Sequence, residues 1–203
     1  MNWGIVVAII GLCITAVITI LGWSRVNYLT TIREDRSREI KYKIERCERQ
    51  IEEFYGPLYN LVQQIVNVFM IQEEIFSKSG LSTEQRGKVE AYIKEHFFFP
   101  LHDEALKILR TRMQLVSDVP EDLWKYIKHV TQERVKHELV VQGFPARIEW
   151  EPFPEELWGV LENSLREARE QHDKLLQARA QHERIWSSIW LPIQSIWSVP
   201  LDK

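Results

Sequence analysis

Residues 40–68 read IKYKIERCERQIEEFYGPLYNLVQQIVNV, and in them Ile40, Ile44, Cys47, Ile51, Phe54, Leu58, Leu61, Ile65 and Val68 recur at alternating steps of four and three. Such a seam, sustained over about four heptads, belongs to a long helix that packs along a partner helix. Gly56-Pro57 falls inside it. Proline lacks a backbone donor and crowds the carbonyl four residues back, so a kink or brief break is expected at 56–57.

Working backward, Val26, Leu29 and Ile32 could carry the helix into residues 3–23, WGIVVAIIGLCITAVITILGW, which hold no ionisable side chain apart from the Cys13 thiol. At about 1.5 Å per residue this run matches a hydrocarbon core of about 30 Å. A signal peptide would need a basic n-region and a small-residue cleavage site, and neither is present. Arg25, Arg33, Arg36, Arg38, Lys41, Lys43, Arg46 and Arg49 all follow the run and no basic side chain precedes it. The positive-inside rule then sets a single-pass inner-membrane anchor, N-terminus outside and C-terminal domain cytoplasmic, with Trp3 and Trp23 at the headgroups. Within the run, Gly4, Ala8, Gly11, Thr15, Thr19 and Gly22 share one helical face. Small residues let backbones approach in lipid, so this face is read as a self-association surface.

Working forward, Ser82 with Gln85 forms a capping-box pattern opening a helix to about residue 98. Pro100 starts a second helix ending near 116, and Pro120 a third to about 141. Gly143, Pro145, Pro152 and Pro154 mark 142–154 as a loop. Pro154-Glu155-Glu156 then opens a last long helix with acids at its dipole's positive end. That helix has its own seam, Trp158, Leu161, Leu165, Ala168, His172, Leu175, Arg179, His182 and Trp186. The two seams fit an antiparallel pair within one chain and equally a parallel stalk between chains. The tail, with Trp186, Trp190, Ile193 and Trp197, is too apolar to remain in water and is expected to dock on protein.

The expected fold is therefore all-α. It comprises a transmembrane anchor (1–24), a juxtamembrane long helix kinked at 56–57 (25–78), a helical bundle with a loop at 142–154 (79–184) and a Trp-rich docking tail (185–203). Net charge is −3 and the basic residues of 33–49 are interleaved with acids, so nucleic acid is not an expected partner and contact with anionic lipid is. Cys13 and Cys47 offer neither a disulfide framework nor zinc spacing, and no metal or cofactor is expected.

Three segments carry a resemblance. EEFYGPLYNL at 52–61, FFFPLHDEALKIL at 97–109, and Pro152-Phe153-Pro154 with Trp158 resemble the E-x-FYGPL, F-x-PLH and PFP-x-x-x-W/F segments of an uncharacterised family of small bacterial single-pass membrane proteins. The plan of one span followed by a helical domain is also similar to membrane accessory proteins of RNA-targeting CRISPR systems. The first resemblance implies architecture without an activity, and some such proteins are associated with phage-defence neighbourhoods. The second prompts a test for the R-x(4-6)-H motif of HEPN-type ribonucleases, which Arg166 and His172 alone fit. Glu167 replaces the small polar residue usual after the arginine and His172 sits on the packing seam, so the spacing reads as coincidence.

Among the other histidines, His96, His102, His129 and His137 lie on neighbouring expected helices and would make an acid-base or metal site only by converging. Tyr55, Tyr59 and Phe97-Phe98-Phe99 read as core rather than base-stacking platforms. The leading expectation is a self-associating membrane protein acting as scaffold, sensor or pore component, with antiviral defence as a context and a protein partner allowed. The alternatives are a membrane-tethered HEPN-like ribonuclease and a passive partner- or lipid-docking subunit.

Overall fold

The computed structural model describes residues 3–144 and 151–197, with side chains through Ser188. Every regular element among the described residues is helical. Two compact units are present, one of residues 45–173 and one drawn from 1–44 and 174–203.

The first long helix, α1 (Trp3–Arg49), runs into a π-helical turn (Gln50–Tyr55) and then α2 (Gly56–Lys78) without a break. The expected kink at 56–57 is thus absorbed upstream, as a widened turn in which the Gly56 N–H bonds the Ile51 carbonyl five residues back. Pro57 explains the choice. It cannot donate to the helix, and a wider turn moves its ring away from the carbonyl it would strike. Gly56 is required for a second reason, because a Cβ there would lie 2.6 Å from the Ile51 oxygen.

The same device recurs. Helix α3 (Thr83–Ile93) opens on a complete capping box, with Ser82 Oγ accepting from the Gln85 N–H and Gln85 Oε1 accepting from the Ser82 N–H. It passes through a second π turn (Lys94–Phe98), where the Phe99 N–H bonds the Lys94 carbonyl, directly into α4 (Phe99–Arg112) with Pro100 in the first turn. The break expected between these two helices is therefore absent. A 3₁₀ turn (Met113–Leu115) follows, then α5 (Glu121–Val141), capped by Pro120 and ending at Gly143, whose φ of 79° suits a residue without Cβ. The last helix, α6, spans Leu157–Trp197. It starts three residues later than expected, because Pro154 supplies a carbonyl to the Leu157 N–H while Glu155 and Glu156 form a turn outside the helix. Of the expected loop at 142–154, residues 145–150 lie outside the described part, and 151–154 have no regular structure.

In the 45–173 unit the core gathers Phe54, Leu58 and Val62, Ala105 and Leu109 of α4, Leu123 and Tyr126 of α5, and Leu157 and Leu161 of α6, all essentially without solvent contact. Each large apolar side chain contributes roughly 1.5–3 kcal/mol by leaving water. The sequence left two arrangements of the seams open. Here they pack antiparallel within the chain, since His172 Nε2 lies 3.3 Å from Glu48 Oε1 while, further along, the Tyr59 and Trp158 rings stack at 6.2 Å. Polar links brace the ends: Gln50 Nε2 donates to the Leu115 carbonyl at 2.6 Å, and Arg112 pairs with Glu53 at 3.1 Å.

In the other unit, Ile40 and Ile44 are buried and Val26, Leu29 and Thr30 half-buried on α1, while Leu175, His182 and Trp186 are half-buried on α6. The Trp186 indole donates to His182 Nε2 at 2.8 Å. Arg179, expected on the seam, is exposed and pairs with Glu183.

Candidate functional site

One helix among the described residues is long and apolar enough to cross a membrane, and none of its apolar window is buried. Ile5, Leu12, Ile18 and Leu21 are all more than half exposed, as are Trp3 and Trp23. Gly4, Ala8, Gly11, Thr15, Thr19 and Gly22 are exposed as well, and a Cβ added at Gly11 or Gly22 would meet nothing within 4 Å. The Thr15 and Thr19 hydroxyls donate to the carbonyls of Gly11 and Thr15 on their own helix. Cys13 is exposed and Cys47 buried, both reduced. Burial raises the Cys47 thiol pKa, making it a packing residue of the seam that also includes Ile40, Ile44, Ile51, Phe54 and Leu58.

Arg166 and His172 stand six positions apart on α6, about 120° around the helix at 100° per residue. Arg166 bonds Asn163 at 2.9 Å, while His172 faces Glu48. The structure does not turn them toward a common point. Trp186 is half-buried, whereas the side chains of Trp190, Ile193 and Trp197 lie outside the described residues.

Two of the four expected histidines do come together. His102 and His129 lie edge to face with ring centroids 6.4 Å apart, whereas His96 stacks on Tyr92 and His137 faces Glu95 at 3.4 Å. No group of three His, Cys, Asp or Glu side chains suited to a metal ion occurs among the described residues. His102 Nδ1 shares a 2.8 Å hydrogen bond with the buried Tyr126 hydroxyl. Desolvation first, then the charges of His129 and Arg134, push the His102 pKa down to about 3. Burial likewise holds the Tyr126 phenol in its protonated form. The pair is a neutral strut at ordinary pH.

His129 Nδ1 donates to the Glu151 carbonyl at 2.8 Å, and Gln132 Oε1 accepts the Glu151 N–H at 2.9 Å. Lys128 pairs with the Glu151 carboxylate. One face of α5 thus holds the 151–154 segment in place. Phe153 sets its ring edge to face against Tyr126 and His129.

His102, His129 and Phe153 line a cavity of about 660 Å³ within the 45–173 unit. Ile65, Val66, Phe69, Phe98, Phe99 and Phe153 supply the apolar surface. At the polar end, Lys94 lies 2.9 Å from Glu90 and 3.5 Å from Glu133. Burial disfavours the Lys94 ammonium, but the Glu90 hydrogen bond and the two carboxylate charges outweigh it, so its pKa is raised. Gln72 also lines the cavity, only 8% exposed, and its Oε1 is buried without a hydrogen-bond partner. Two of the segments that carried the family resemblance meet here, through Phe98 and His102 on one side and Pro152 and Phe153 on the other.

The sequence reading missed Gln72, Glu90, Lys94 and Glu133. Each is a residue type common on solvated helix faces, and only the Glu90–Lys94 spacing of four carried any local signal.

No protein family model, characterised protein or solved structure matches the chain.

Proposed function

We propose that this protein is a single-pass inner-membrane protein, N-terminus outside, whose cytoplasmic helical bundle acts by binding and assembly, as a scaffold, sensor or pore component, rather than by catalysis. The observation that carries the reading is the α1 surface at 3–23, apolar and wholly unburied. In water each such leucine or isoleucine would cost roughly 1.5–3 kcal/mol, a cost that lipid removes. Eight basic side chains immediately after it favour retention of the bundle in the cytoplasm. The separate facings of Arg166 and His172 weigh against the ribonuclease alternative. A role in antiviral defence follows only from the resemblance of the FYGPL and PLH segments.

The test is a pair of topology reporters fused after Lys203, one active only in the cytoplasm and one only in the periplasm. Cytoplasmic activity, with the fusion resisting carbonate extraction, is expected. Periplasmic activity, or release by carbonate, would overturn the orientation or the anchor respectively.

A further inference from the structure

Helix length decides where α6 ends. The register of the two long helices is fixed at Glu48 and His172, 3.3 Å apart. From that pair both helices continue unbroken, α1 back to Trp3 and α6 on to Trp197. Trp23, at the end of the apolar run, lies twenty-five residues before Glu48, and Trp197 lies twenty-five residues after His172. At about 1.5 Å per residue each stretch rises about 37 Å, so an antiparallel pair in this register brings Trp197 level with Trp23.

Burial on α1 agrees with that count. The unit drawn from 1–44 and 174–203 contains little besides the outer parts of these two helices. Every residue from 31 to 39 is exposed, yet Val26, Leu29 and Thr30, next to the apolar run, are half-buried. The count sets Thr30 level with position 190 and Val26 with position 194, in the last turns of α6. Composition changes at the same place. Helix α6 is densely charged through Arg184, whereas residues 185–201 carry no ionisable side chain and include Trp186, Trp190 and Trp197. Their rise of about 25 Å falls short of a hydrocarbon core of about 30 Å, and Ser187, Ser188, Gln194 and Ser195 dilute their hydropathy, so they do not suit a second span. An indole-rich helix end suits the headgroup layer, where tryptophan is favoured.

We infer that the end of α6, residues 190–197, is a second membrane contact, which enters the headgroup layer at the level of Trp23. Lipid thereby takes the place of the protein docking expected of the tail. The inference rests on the membrane reading of α1. Since 185–201 is uncharged, neutral phospholipid is sufficient and salt does not release the contact.

Depth-dependent quenching tests it on the full chain in phosphatidylcholine nanodiscs. A Cys13→Ala background leaves the buried Cys47 as the one native thiol. A fluorophore is then placed by Ser24→Cys beside the span, by Ser195→Cys near the end of α6, or by Gln181→Cys, sixteen residues before Trp197 and so about 24 Å away along the helix. Lipid carrying a nitroxide on its headgroup should quench the labels at 24 and 195 equally and more strongly than lipid with a mid-chain nitroxide, and should leave the label at 181 bright. High salt should change none of this. Trp190→Ala combined with Trp197→Ala should remove most of the quenching at 195 while leaving that at 24, and the melting of the bundle, unchanged. A label at 195 as bright as that at 181, with 24 quenched, would overturn the second contact and leave the anchor standing. Quenching at 195 that survives loss of both indoles would equally overturn it. A label at 24 that neither lipid quenches would remove the anchor itself, and the second contact with it.

Discussion

Gly56 illustrates how much one hydrogen atom can decide. The π turn brings the Ile51 carbonyl to where a Cβ would sit at 2.6 Å, and the atom met is backbone, which cannot rotate aside. Gly56→Ala should therefore destabilise the 45–173 unit by about 1–3 kcal/mol, read as a lower urea midpoint with an unchanged slope. An unchanged midpoint would mean that the turn can revert to α geometry at no cost. His102 makes a different demand, because its folded pKa of about 3 lies below that of the unfolded chain. Below about pH 6.5 the unfolded state takes up a proton that the native state refuses, so stability is complete above that value and falls toward pH 3 by up to about 1.4 kcal/mol per unit. Glu53 and Glu151, whose carboxyls are held low by Arg49 and Lys128, lose their contributions only further into acid. Between pH 6.5 and 4.5 the slope should thus flatten in His102→Gln, which keeps a partner for Tyr126. An unchanged slope in that variant would assign the titration to another group.

At the scale of elements, the helix ends were the most legible features and the helix interruptions the least. Ser82 and Gln85 satisfy each other's backbone donors as their spacing foretold. Ser82→Ala should cost about 0.5–2 kcal/mol, with amide exchange quickening first at residues 83–86. Exchange that instead rises evenly across α3 would show that tertiary contacts, not the cap, hold its start. The prolines misled because a missing donor can be accommodated in more than one way. At Pro57 and Pro100 the chain widens by one residue and continues, with the turn that follows each packed in place: Leu58 is fully buried, and the buried His102 is stacked on Phe98. No local spacing records that choice.

At the scale of the whole molecule, the face built from Gly4, Ala8, Gly11 and Thr15 is exposed, and a Cβ at Gly11 would meet nothing within 4 Å among the described residues. A larger residue there is therefore harmless to a monomer and disruptive only where a second helix approaches. Gly11→Leu should shift the detergent-solubilised protein toward smaller species in mass photometry, with melting of the bundle unchanged. An identical size distribution would remove the small-residue face from any role in assembly.

The all-helical class, the long apolar run and the two seams were readable from residue order, because hydropathy and period are properties of neighbours three and four apart. The direction in which the seams pair was not, since a heptad pattern is the same read against a parallel or an antiparallel partner. Contacts such as Glu48 with His172 and Tyr59 with Trp158 decide it, and they join residues about a hundred positions or more apart. The cavity depends even more on tertiary structure. Its polar groups come from α2, α3, the second π turn, α4, α5 and the turn before α6, and a glutamine such as Gln72 acquires meaning only when the fold buries its oxygen away from water.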